Sequence, residues 1–180
     1  RAQGEAGFEK LFALKVLHKN LAAETMVVEH FLDEARLASR LSHPNIVQIT
    51  DLGKAGDEYF IAMEYIDGSD LEKLLFACDE RGEHVPLKVA LFLVRKICDG
   101  LQAAHTAAGA DGEPLNLVHR DIKSANIFVS RQGAVKVGDF GIAKVHTATA
   151  VKRTEVGMVK GTVAYMAPEQ RAGKPIDRRA

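Results

Sequence analysis

The stretch His119-Arg120-Asp121-Ile122-Lys123-Ser124-Ala125-Asn126, with Asp139-Phe140-Gly141 downstream, carries the densest chemistry in the sequence. Between the two runs, Asn126 to Ser130 and Ala134 to Val137 read as short strands around Gln132-Gly133, a hairpin whose open ends lie side by side. Asn126 at one end and Asp139 at the other then face a common point. An amide oxygen and a carboxylate converging in this way suit a hard divalent cation such as Mg²⁺, which keeps its remaining positions for water or phosphate oxygens. Asp121 sits on the loop that feeds the same spot, and Lys123, just beyond it, is placed to neutralise negative charge. An acidic base, a lysine and two metal ligands meet the needs of phosphoryl transfer: an oriented nucleophile and charge neutralisation on the transferred group. No packing requirement explains the joint spacing of Asp121, Lys123, Asn126 and Asp139.

Working outward, Leu11 to Leu17 reads as a buried strand after a Gly4-Glu5-Ala6-Gly7 turn. A helix is predicted from about Met26 to Leu41, where Val28, Phe31, Ala35, Ala38 and Leu41 recur at helical spacing, and His43-Pro44 ends it. Glu34 falls on that apolar face between Ala38 and Leu41, so its carboxylate needs a partner inside. Asn45 to Leu52 and Glu58 to Tyr65 form a second predicted hairpin around Lys54-Ala55-Gly56-Asp57. Pro86 opens a long helix to about His105, apolar on most sides and expected to be deeply buried. The loop between His105 and Leu117 reads as exposed, and the chain from Gly138 to Met166 as irregular. The coarse pattern is a strand-rich first third followed by a helical part carrying a small hairpin.

Composition narrows the function classes. The 180 residues are 47% hydrophobic, enough for a packed core, and 24 basic side chains balance 24 acidic ones. That balance removes the usual argument for nucleic acid or an anionic membrane as the main partner. The longest apolar run, Val89 to Val94, is far too short to span a bilayer. Cys78 and Cys98 are too few for a disulfide framework, which favours a reducing compartment.

At this point the sequence resembles a protein kinase of the eukaryotic-like (Hanks) serine/threonine type, in a bacterial style. His119 to Asn126 follows the H-R-D-L-x-x-x-N pattern with Ile122 for leucine, Phe12-Ala13-Leu14-Lys15 follows V-A-I-K, and Ala167-Pro168-Glu169 follows A-P-E. The resemblance implies an α+β, two-lobe fold: a small antiparallel-sheet upper lobe over residues 1–66 and a mostly helical lower lobe over 67–180. It implies ATP and Mg²⁺ as cofactors and a protein serine or threonine hydroxyl as substrate.

Residue by residue, Lys15 would hold the α- and β-phosphates and pair with Glu34, supplying the partner that Glu34 needs. Asp121 would accept or orient the substrate hydroxyl, Lys123 would sit against the γ-phosphate, and Asn126 and Asp139 would hold two magnesium ions. Met63 matches the gatekeeper position. Backbone groups of Glu64 and Ile66 would bond the adenine edge, Asp70 would lie near the ribose, and Ala13 and Phe128 would sandwich the ring. Lys123 stands at serine/threonine spacing, and Thr162 matches the threonine that bonds the catalytic loop in that class. Arg120 has the place at which a phosphorylated activation segment docks; Thr147, Thr149 and Thr154 are the candidate phosphosites, with Thr154 favoured. His119 reads as structural, packed beside Phe140.

Two departures stand out. The G-x-G-x-x-G loop that covers phosphates is absent, and the sequence stops where the family's next long helix begins. The expectation is a kinase core cut at both ends, weak or inactive by itself, with apolar surface uncovered and the parent protein in the cytoplasm or at its membrane face. The alternative function is a kinase-like regulatory or scaffold module that binds nucleotide without catalysis. Such modules usually lose the lysine, the catalytic aspartate or the metal aspartate, whereas Lys15, Asp121 and Asp139 are all present. No oligomeric state follows from these residues.

Overall fold

The computed structural model describes residues 2–3, 9–17, 24–140 and 163–180. Ala2–Gln3 (β1) and Glu9–Lys10 (β2) form a short antiparallel ribbon. Phe12–Val16 (β3), Ile49–Ala55 (β4) and Glu58–Glu64 (β5) form an antiparallel sheet in the order β3-β5-β4. Thr25–Ala38 (α1) lays Phe31 and Ala35 against Leu17 and Ile61 of this unit, its own small core. The period-2 alternation of β3 leaves Ala13 and Lys15 on its half-buried side and turns Leu14 outward at 61% exposure.

A second core gathers Leu41, Ile46, Ala104, Leu117, Ile127, Val137 and Phe140. Around it lie Gly68–Asp70 (β6), Leu71–Glu80 (α2), Leu87–His105 (α3), Ile127–Ser130 (β7) and Val135–Val137 (β8), with β6, β7 and β8 paired antiparallel in that order. Pro168–Arg171 (α4) is a single turn near the end. Candidate site residues meet at a joint between the two cores: Lys15 of β3 contacts Glu34 of α1 and also Asp139, which precedes Phe140 of the second core.

The joint is built from backbone. Residues 45–47 were expected to begin the strand that became β4, yet pairing with β5 starts only at Ile49. Asn45 and Val47 instead bond β8: the Val47 N–H donates to the Val137 carbonyl at 2.8 Å, and Val137 N–H to the Asn45 carbonyl at 2.9 Å. The buried Asn45 side chain donates to the Val135 carbonyl at 2.8 Å. Residues 45–47 are thus bonded to β8 before the ladder with β5 begins.

Two further differences from the sequence reading have physical causes. The long helix, α3, buries only Gly100 and Ala104; Leu87, Leu91 and Val94 are 72%, 60% and 56% exposed. Its apolar pattern was read as deep burial, but among the described residues only one side finds a partner, chiefly β8. The helix α2 and strand β6 were not anticipated. Asp70 starts the helix by accepting the Lys73 N–H at 2.9 Å, an N-cap that precedes Leu71, Leu74 and Leu75.

Gly100 gives a first prediction. A β-carbon there would lie 2.6 Å from the Asn45 carbonyl oxygen, which is itself committed to β8. Alanine improves helix propensity by about 1 kcal/mol, but overpacking against fixed backbone costs about 1–3 kcal/mol. The clash wins, so Gly100→Ala is expected to lower the urea midpoint without changing the slope; a raised midpoint would refute the close approach.

Candidate active site

Lys15 and Glu34 come from neighbouring elements of the upper unit, and the Lys15 Nζ donates to Glu34 Oε1 at 2.8 Å. The same ammonium reaches across the joint to Asp139 Oδ1 at 3.0 Å. Glu34 is almost fully buried, so the charge on the helix's apolar face has a cation against it. Burial pushes the Lys15 pKa down, but the Asp139 and Glu34 carboxylates push it up further, and the result lies above the ordinary lysine value.

On the other side of the joint, a tight loop organises the acids. Asn126, at the end of the 3₁₀ turn Ser124–Asn126, was expected to be a strand residue. The turn swings its amide back, so that Nδ2 donates to the Asp121 carbonyl at 2.8 Å and to Asp121 Oδ2 at 3.1 Å. Lys123 Nζ lies 3.2 Å from the same Oδ2. The Gly138 N–H donates to the Asn126 carbonyl at 2.9 Å, which brings the two ends of the hairpin together.

His119 joins these parts from beneath. Its Nδ1 accepts the Asp121 N–H at 3.3 Å, so its proton rests on Nε2, 2.9 Å from the Gly138 carbonyl. The ring lies 4.5 Å from Phe140. One buried imidazole therefore ties the residue before Asp139 to Asp121. Arg120 and Asp139 both adopt left-handed backbone, φ 65° and 53°. Such conformations in non-glycine residues cost on the order of 1–3 kcal/mol and persist only where neighbours hold them.

The remaining candidates are distributed around this centre. Ala13 stands opposite Met63 in the β3–β5 register, and Phe128 opposite Asp70 and Lys136 in the lower sheet. Ile66 lies half-buried in the link between β5 and β6. The Glu64 N–H is taken by the Gln48 carbonyl at 2.9 Å, and its side chain accepts from Gln48 N–H and from Lys136 Nζ, both at 2.7 Å. Asp70 spends its carboxylate on the N-cap and on Lys73 Nζ at 2.6 Å; burial pushes its pKa up, the Lys73 bonds push it further down, and the net is low. Thr147, Thr149, Thr154 and Thr162 lie outside the described residues, as do Gly141 and the Gly4–Gly7 turn.

Sequence reasoning missed the ties from the chain's end. Ser124 Oγ and Tyr165 Oη share a hydrogen bond of 2.9 Å, and Gln170 Nε2 donates to the Arg120 carbonyl at 2.9 Å. Lys136, missed as well, lies three residues before Asp139 and straps β8 to Glu64. A cavity of about 570 Å³ lined by His105, Leu117, Arg120, Ile176 and Arg178 is separate: none of Lys15, Asp121, Asn126 or Asp139 borders it.

The donor set fits Mg²⁺. Among the described residues no three His, Cys, Asp or Glu side chains are grouped to hold a metal by themselves. A cation here would take Asp139 and the Asn126 amide oxygen, both hard donors, and keep its other positions for water or phosphate.

Residues 4–180 match the protein kinase domain family. The chain is 46% identical over 177 residues to the tyrosine-protein kinase MasK of Myxococcus xanthus, covering 98% of this chain and 27% of that protein. It is 38% identical over 161 residues to the serine/threonine-protein kinase PrkC of Bacillus subtilis, covering 89% and 23%. Among solved structures it is similar to the PknI kinase domain of Mycobacterium tuberculosis, with a TM-score of 0.69 at 29% identity, over 98% of this chain and 61% of that one. The chain thus spans about a quarter of the length of these curated relatives. A lysine held between two carboxylates, and an H-R-D loop folded onto its own asparagine, stand inside a match over nearly the whole chain: it belongs to the protein kinase domain family.

Proposed function

We infer that the protein transfers the γ-phosphoryl group of ATP to serine or threonine hydroxyls of proteins, as a signalling kinase. The observation that carries this reading is the line of contacts from Glu34 through Lys15 to Asp139, with Asp121, Lys123 and Asn126 bonded together beside it. In the transfer, the substrate oxygen forms a bond to the γ-phosphorus as the bond to the ADP oxygen breaks. Asp121 orients the hydroxyl and takes its proton, and Lys123 faces the charge on the moving group. Lys15, kept cationic by two carboxylates, holds the α- and β-phosphates. Asn126 and Asp139 would hold Mg²⁺, which when bound neutralises phosphate oxygens. The backbone of Glu64 and Ile66, with Met63, Ala13 and Phe128, forms the adenine end, and Asp70 the ribose end.

The test is incubation of the full-length natural protein with Mg²⁺ and ATP, read by intact mass and phosphoamino-acid analysis. Phosphoserine or phosphothreonine is expected. Phosphotyrosine would favour a second reading, motivated by the relative named a tyrosine-protein kinase. ATP binding with no transfer would leave a nucleotide-binding scaffold. A cytoplasmic or membrane-face location belongs to the same proposal; among the described residues no helix is long and apolar enough to cross a membrane.

Asp70 offers a way to separate a structural task from a ligand contact. Asp70→Ser keeps an N-cap oxygen for Lys73 N–H, whereas Asp70→Ala removes it at a cost of about 0.5–2 kcal/mol. If Asp70 meets the ribose, both variants raise KM for ATP several-fold and only the alanine lowers thermal stability. An unchanged KM in the serine variant would restrict Asp70 to its cap.

A further inference from the structure

The chain after the undescribed segment touches the catalytic loop at two points that bracket its chemistry. Gln170 meets the carbonyl of Arg120, immediately before Asp121. Tyr165 meets the hydroxyl of Ser124, immediately after Lys123. Ser124 is 9% exposed and its Oγ has this bond in place of water.

Gln170 is suited to its place because an amide both accepts and donates. Its Oε1 accepts the Ala167 N–H at 3.0 Å, closing the first turn of α4, while its Nε2 donates to Arg120. The side chain is thus fixed at one end by its own helix and presents a rigid donor to the loop. The carbonyl it holds belongs to a residue in left-handed backbone at φ 65°, a conformation that needs external support. Asp121 follows directly, so the direction of its Cα–Cβ bond depends on that peptide being held.

We propose that Gln170 and Tyr165 are positioning residues that clamp the catalytic loop on both sides of Asp121–Lys123, so that the phosphate-transfer geometry is set by the segment 163–171. The proposal rests on the kinase reading for its catalytic consequence and on geometry alone for its structural one.

Gln170→Glu is the discriminating change. A carboxylate still accepts from Ala167 N–H and keeps the turn, but it cannot donate to Arg120 and repels that carbonyl. In the full-length protein, kcat is expected to fall at least tenfold while the Kd for ATP stays within twofold, since Lys15 and the adenine end are untouched. Ser124→Ala and Tyr165→Phe should each lower kcat about three- to fivefold, and the double variant no further, because either change removes the whole bond. Hydrogen exchange over residues 119–126 is measured in parallel and should quicken several-fold in Gln170→Glu. Turnover within twofold of the parent, additive losses at Ser124 and Tyr165, or unchanged exchange would each overturn the clamp. If the parent transfers no phosphate but exchange quickens as stated, the clamp stands and the kinase reading falls.

Discussion

Asp121→Asn is expected to lower the rate of phosphoryl transfer by about 10²–10⁴-fold, the range typical of losing a positioned general base. The substitution is nearly isosteric, and its amide oxygen still accepts from Asn126 Nδ2, so the loop bond of 3.1 Å has a replacement. The bond from Asn126 to the residue's backbone carbonyl, at 2.8 Å, is untouched. What disappears is the negative charge: on the proposed reading no base then remains for the substrate proton, and Lys123 loses the carboxylate 3.2 Å away. The Kd for ATP should stay within about threefold, because Lys15, Glu34 and Asp139 keep their contacts. Single-turnover rates beside equilibrium ATP binding separate the two quantities. Transfer surviving within tenfold of the parent would mean that Asp121 is a structural acid, and that the proton leaves by another route.

The parts of this site that could be read from sequence are those in which a local pattern forces a distant partner. Glu34 on an apolar helix face called for a partner inside, and the family resemblance named Lys15 as that partner, which the 2.8 Å contact bears out. The Gln132-Gly133 turn brought Asn126 and Asp139 to adjacent hairpin ends without any long-range assumption. The parts that escaped notice lack such a pattern. Tyr165 and Gln170 are single polar residues whose targets lie far back in the chain, one of them a backbone carbonyl with no sequence signature. The Lys136–Glu64 pair joins strands of different sheets, and alternation along either strand says nothing of the other. The short helix α2 did carry a signal, an Asp70 N-cap before a Leu-rich run. The long helix α3 failed for the opposite reason. Its periodicity reports what the helix is able to bury, whereas burial also depends on what packs against it.

Lys15→Met carries the second large effect, and it separates stability from catalysis. Removing the ammonium takes from Glu34, whose side chain is 12% exposed, the cation at 2.8 Å, and from Asp139 the same cation at 3.0 Å. Losing one partner costs about 0–1 kcal/mol for an exposed pair and about 3–5 kcal/mol for a buried one. Lys15 is itself 36% exposed, so an intermediate loss of about 1–3 kcal/mol is expected. Transfer should fall by about 10²–10³-fold, as when a fixed electrostatic donor is removed from a reacting group. Adding Glu34→Gln to Lys15→Met removes the buried negative charge that Lys15 had balanced, so part of the stability should return while activity does not. The pH dependence has a definite sign: because the folded pKa of Lys15 is raised, its stabilisation is complete below the ordinary lysine value of 10.5 and fades only above it. Between pH 6 and 9 the stability difference between parent and Lys15→Met should therefore be flat with respect to this ammonium. A double variant that regained both stability and turnover would show that Lys15 serves the fold alone, and the phosphate-binding role would have to pass to another cation.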